Sequence, residues 1–84
     1  LADTLNLAIV SDKKLSEKEI TEKIDELKKY TSKIELISLS KSENNTTINF
    51  DVQLNNFSEL NTLTEHLQKN NTRVIVARND LTAL

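Results

Sequence analysis

His66 is the first place to look for chemistry, because imidazole exchanges a proton near neutral pH and it is the chain's single histidine. It has no cysteine or second histidine with which to share a metal, and Glu59, Glu65 and His66 lack the i, i+4 spacing of a helical ligand face. Its place one residue before Leu67 reads as a structural histidine beside a buried stripe. Ser38, Ser40 and Ser42 offer hydroxyls at alternate positions, but a serine nucleophile needs a paired base and oxyanion-hole donors. With no glycine anywhere, a phosphate-cradling loop or a dinucleotide fingerprint is excluded. Glu17, Glu19, Glu22, Asp25 and Glu26 fall among lysines on one amphipathic segment, the pattern of a solvated helix face. Zero cysteines remove disulfides, thiolate zinc sites and thiol nucleophiles together. The sequence therefore predicts no enzyme, no metal and no cofactor.

Charge and composition narrow the partners. A net charge of −2 and a pI near 5.3, with bases interleaved among acids, do not make the concentrated basic surface that phosphate backbones require. Aromatic content is 4%, too low for a base-stacking platform, so no nucleic-acid partner is expected. No apolar run approaches the roughly 20 residues that cross a bilayer, so direct membrane insertion by this segment is not expected. Leu1-Ala2-Asp3-Thr4 lacks the basic start and apolar stretch of a signal peptide, and the expected location is cytoplasmic. Eighty-four residues support one hydrophobic core, hence a single domain over 1–84.

The elements follow from periodicity. Leu5, Leu7 and Ile9 alternate with Asn6, Ala8 and Val10 as strand one. Ser16 and Glu19 form a capping box that opens helix one, with Leu15 set to staple onto Ile20 and Ile20, Ile24 and Leu27 as its apolar stripe. Lys33 to Ser40 reads as strand two with a change of apolar phase between Leu36 and Ile37, which a bulge would produce, as would burial on both faces. Glycine and proline are both absent, so the Asn pairs at 44–45, 55–56 and 70–71 take over as turn formers. Asn44-Asn45 is expected to make a tight hairpin with positive φ into strand three, where Ile48, Phe50, Val52 and Leu54 share a face. Asn56-Phe57-Ser58-Glu59 forms a second capping box, with Ser58 as the competing N-cap, and opens helix two, whose stripe is Leu60, Leu63 and Leu67 and which Asn70-Asn71 closes in place of a C-terminal glycine. Strand four runs from Thr72 to Ala77, and 79–84 are expected to fray.

Strand, helix, strand, hairpin, strand, helix, strand predicts an α+β, ferredoxin-like β-α-β-β-α-β domain: a four-stranded antiparallel sheet of order 4-1-3-2 with two helices on one face. Strands two and four are then its edges, and both carry apolar residues on both faces. Edges usually carry charge or bulges that discourage association. Val74, Ile75, Val76, Ala77, Ile37 and Leu39 are accordingly the candidate interaction residues, for self-association or for docking to other parts of a parent protein. Leu81-Thr82-Ala83-Leu84 folding back over the patch is the competing explanation.

In element order and length the whole domain resembles an ACT-type regulatory module. The run Lys33-Ile34-Glu35-Leu36-Ile37-Ser38-Leu39, with Thr47 to Leu54 and Ser58-Glu59-Leu60, resembles the soluble C-terminal domain of bacterial multi-pass membrane proteins of unknown function. The resemblance implies a non-enzymatic regulatory or interaction module, cytoplasmic and tethered to a larger, inner-membrane chain. The alternative is an ACT-like small-molecule sensor that binds in the loop between strand one and helix one. Acylphosphatase-like chemistry would want an arginine where Lys13-Lys14 stands.

Overall fold

Alternation with a period of two puts every second side chain on one face, and β1 (Thr4–Ser11) buries Leu5, Leu7, Ile9 and Ser11 in that way. The structure, a computed structural model, describes residues 4–69 and 71–78. β2 (Thr31–Ser42) and β3 (Asn45–Leu54) form a hairpin, and β3 buries Thr46, Ile48, Phe50 and Val52. β1 lies between β3 and β4 (Thr72–Arg78), antiparallel to both, with Leu7 opposite Phe50 on one side and Val76 on the other. The sheet order is β2-β3-β1-β4, which is 4-1-3-2 read from the other end.

α1 (Glu17–Lys28) begins where the capping box places it. The Glu19 amide donates to Ser16 Oγ at 3.2 Å, and the Ser16 amide donates to Glu19 Oε1 at 3.1 Å. At the far end the Leu27 carbonyl accepts from the Thr31 hydroxyl at 2.9 Å as well as from the Tyr30 amide at 3.1 Å. The second helix starts less regularly. Asn56 Oδ1 accepts the Ser58 amide at 3.1 Å, a 3-10 turn spans Phe57–Glu59, and α2 proper is Leu60–Leu67. Leu27, Leu63 and Leu67 join Leu15 and the buried residues of β1 and β3 in one cluster, so both helices pack on the same side of the sheet.

Two local expectations meet different outcomes. The register of β2 against β3 does shift between Leu36 and Ser38, so Ile37 is the extra residue that the phase change announced. The hairpin turn, however, is one residue earlier than expected: Ser42 pairs with Asn45, leaving Glu43 and Asn44 as the loop. Among the described residues only Asn71 has positive φ, at 59°, so neither Asn44 nor Asn45 enters the left-handed region. Asn45 is a ladder residue with its backbone already paired, which removes the need for a left-handed turn there. The pair Asn70-Asn71 does not close the second helix as expected: α2 ends at Leu67 with Gln68 as its C-cap, and Asn71 enters the left-handed region three residues later, at the approach to β4. Asn70 and the segment 79–84 lie outside the described residues.

Candidate functional site

The six candidate interaction residues separate into three places. Val74 and Val76 point to the helix side, half-buried against the core. Ile75, 50% exposed, and Ala77 face the open side, opposite Ala8 and Asn6. Ile37 sits in the bulge, and Leu39 lies opposite the buried Ile48, so its side chain is on the helix side. Leu36, opposite Phe50 and as exposed as Ile37, belongs with them and was not among the candidates. The pair Leu36 and Leu39 shared a face with the core residues of β3 only if the bulge lay between them, and that register is what the sequence left open.

The reason for their exposure is coverage. The helices, 12 and 8 residues long, pack over β1, β3 and β4, and of β2 only Ile34 reaches the core. Leu36, Ile37 and Leu39 are therefore apolar side chains at the rim of an edge strand, with Ser38 and Ser40 between and beyond them. On the open face Ala8, Val10, Ile75 and Ala77 are apolar, and the polar residues of β1 and β3 are bonded among themselves and to β2. Asn6 Nδ2 donates to the Phe50 carbonyl at 3.2 Å and to Asp51 Oδ1 at 3.3 Å, and Asn49 Nδ2 donates to Ser38 Oγ at 3.1 Å.

At one end of the sheet, three hydroxyl residues form a row on the core face: Thr46 pairs with Ser11, and Ser11 with Thr72. All three are buried. Thr46 Oγ1 accepts the Leu15 amide at 2.9 Å and donates to the Lys13 carbonyl at 2.8 Å, tying the β1–α1 loop to β3. Ser11 Oγ and Thr72 Oγ1 have no hydrogen-bond partner among the described residues. They line a cleft of about 180 Å³ beneath α1 and the end of α2.

Ionisable groups surround the mouth of that cleft. Lys13 pairs with Glu19, and this bond, with the Ser16 amide, lowers the Glu19 carboxyl from 4.5 to about 2. Glu26 lies 3.2 Å from the Lys29 ammonium and 3.7 Å from His66 Nδ1. The His66 ring stacks on Tyr30 with centroids 6.1 Å apart. Burial lowers the Lys23 ammonium, against an opposing pull from Glu19 and Glu22. Among the described residues no group of three or more metal-capable side chains occurs. The carboxylates that sequence reading placed on a solvated face are thus in part the wall of a cleft, because Glu19, Glu22 and Glu26 recur at i, i+3 and i+7 and share one side of α1.

The architecture defines a small α+β domain with an antiparallel sheet covered on one side. No protein-family model matches the chain, and no curated protein is similar to it. Among the described residues no helix is long and apolar enough to cross a membrane.

Proposed function

We propose that the chain is a non-enzymatic interaction module of ferredoxin-like, ACT-like form, the regulatory part of a larger cytoplasmic or membrane-tethered protein, which docks β2 against β2 of a second copy. The observation that carries this reading is the rim of Leu36, Ile37 and Leu39, each about half exposed on an edge strand with no strand on its outer side among the described residues; the bulge at Ile37 interrupts the backbone edge, so the rim side chains lead the contact. Two-fold antiparallel pairing would extend the sheet and bring each copy's rim against the other's.

Charge favours a second copy over an unrelated partner. Lys33 and Glu35 precede the apolar stretch, and Lys41 and Glu43 follow it. Antiparallel pairing lays one copy's leading end beside the other's trailing end, and each end carries one acid and one base: Lys33 and Glu35 lie on the open face, opposite Gln53 and Asp51, whereas Lys41, opposite the buried Thr46, lies on the helix side and Glu43 is in the loop. Neither end sets like charges together, which is the requirement for self-recognition at an edge.

Sedimentation equilibrium tests the proposal. Dimerisation of the wild-type chain, lost in Leu39→Lys and kept in Ile75→Lys, is the expected result, with circular dichroism verifying that both variants stay folded. A wild type that remains monomeric at high protein concentration, or a dimer that survives Leu39→Lys and dissociates in Ile75→Lys, would overturn the β2 interface.

A further inference from the structure

The cleft at the end of the sheet is independent of the β2 rim and has a chemistry of its own. Ser11 and Thr72 stand opposite each other on neighbouring strands, 0% and 8% exposed, and both hydroxyls lack a partner among the described residues. Buried polar groups without partners are rare in folded proteins and ask for an explanation at each occurrence. Alanine and valine at these positions would fill the same space with no unmet hydrogen bond, so the hydroxyls have a use that packing does not supply.

The surrounding charges indicate the kind of molecule they would meet. Glu19 is occupied by Lys13 and by the helix cap, and Glu26 by Lys29 and His66. Lys13, Lys23 and Lys69 line the cleft together with Glu19, Glu22 and Glu26, and Lys23 lies within the pull of both Glu19 and Glu22. A lysine ammonium only donates, and a hydroxyl beside it is free to donate too. The complement to two donating hydroxyls beside the Lys23 ammonium is a group that only accepts, and negative charge on it would suit that cation. Lys23 is moreover a cation partly withdrawn from water, which an anion beside it would compensate.

We infer that this cleft binds a small oxyanion, a phosphate or carboxylate group, accepting hydrogen bonds from the Ser11 and Thr72 hydroxyls and facing the Lys23 ammonium. The volume of about 180 Å³ admits such a group with a short organic remainder and is too small for a nucleotide. The Thr46 bonds hold the loop that closes one side of the cleft, and because neither hydroxyl oxygen has exposed surface in the unliganded chain, a ligand reaches them on rotation of the two side chains.

Amide and lysine side-chain NMR on the whole chain tests this. Inorganic phosphate is titrated in one arm and acetate in another, both at constant ionic strength, with chloride as the control. Saturable shifts at Ser11, Lys13 and Thr72 in either arm, together with a rise in the Lys23 pKa on binding, are expected; the arm that saturates tells phosphate from carboxylate. Lys23→Gln and the pair Ser11→Ala/Thr72→Val should each weaken binding at least tenfold, and neither change removes a described hydrogen bond. Shifts no different from chloride, saturation that maps elsewhere, or affinity unchanged in both variants would overturn the assignment and leave ordered water as the partner of the two hydroxyls.

Discussion

Replacing Thr46 by valine tests whether one hydroxyl fixes the β1–α1 loop. The side chain is fully buried and nearly isosteric with valine, so the change removes two hydrogen bonds while adding one methyl. Each bond contributes about 0.5–1.5 kcal/mol net, and leaving the buried Leu15 amide unpaired costs about 1–3 kcal/mol. The Lys13 carbonyl belongs to an exposed residue and can recover a bond to water, which moderates the total. Against this, the added methyl returns at most about 0.8 kcal/mol. A net loss of about 2 kcal/mol is expected, which at an m of about 1 kcal/mol/M moves the urea midpoint down by about 2 M with m unchanged. The other two hydroxyls in the row provide the contrast. Ser11→Ala and Thr72→Val remove groups with no described partner, and without ligand they should be neutral or stabilising. If Thr46→Val left the midpoint within experimental error of wild type, or if all three variants fell equally, hydrogen bonding would not be what distinguishes these positions.

Three further outcomes are expected. Ser16→Ala breaks the capping box of α1 and should lower stability by about 1 kcal/mol in urea melts, whereas no change would mean that the helix does not depend on this cap. Asn71→Gly should be neutral or slightly stabilising in thermal melts, because φ of 59° is costless only for glycine; clear destabilisation would show that the Asn side chain matters more than its backbone angle. Glu19 has a folded pKa of about 2, below its ordinary 4.5, so its contribution is present above pH 4.5 and is lost as pH falls from there toward 2. The decline in stability over that window should be shallower in Glu19→Gln, and parallel curves for the two proteins would contradict a stabilising Lys13–Glu19 pair.

What could be read from sequence was whatever short-range pattern determines. Leu5, Leu7 and Ile9, or Ile48, Phe50 and Val52, can hide from water on one face only if the segment is extended, and Ser16 with Glu19 satisfies two amides only at a helix start. The hairpin was displaced by a residue because Asn44-Asn45 looked like a left-handed turn, whereas the ladder reaches Asn45 and pairs it with Ser42. The coverage of β2 was not legible either, since it depends on how far two helices of fixed length extend across a sheet. The cleft was least visible of all. Ser11, Lys23 and Thr72 belong to three elements far apart in sequence, and nothing local marks a serine after an apolar strand as different from any other serine.

The position of β1 bears on how the chain acquires its structure in time. The first strand in sequence is central in space, and Leu5 finds its neighbour at Arg78 almost the whole chain away. Such long-range closure makes folding slow relative to a helical protein of the same size, because the loop entropy is lost before the contacts that repay it form. The β2–β3 hairpin, joined by two residues, can assemble at once, and β1 can dock on β3 as soon as β3 exists. On a ribosome β4 must arrive last, because residues 72–78 are made after the other strands. Until then β1 is itself an edge strand, with Leu5, Leu7 and Ile9 only partly covered, so one edge of the nascent sheet is the strand richest in core side chains, where the finished sheet has β4. The interval before β4 pairs is consequently the period of greatest exposure to aggregation, and its length is set by the time needed to make and deliver residues 72–78.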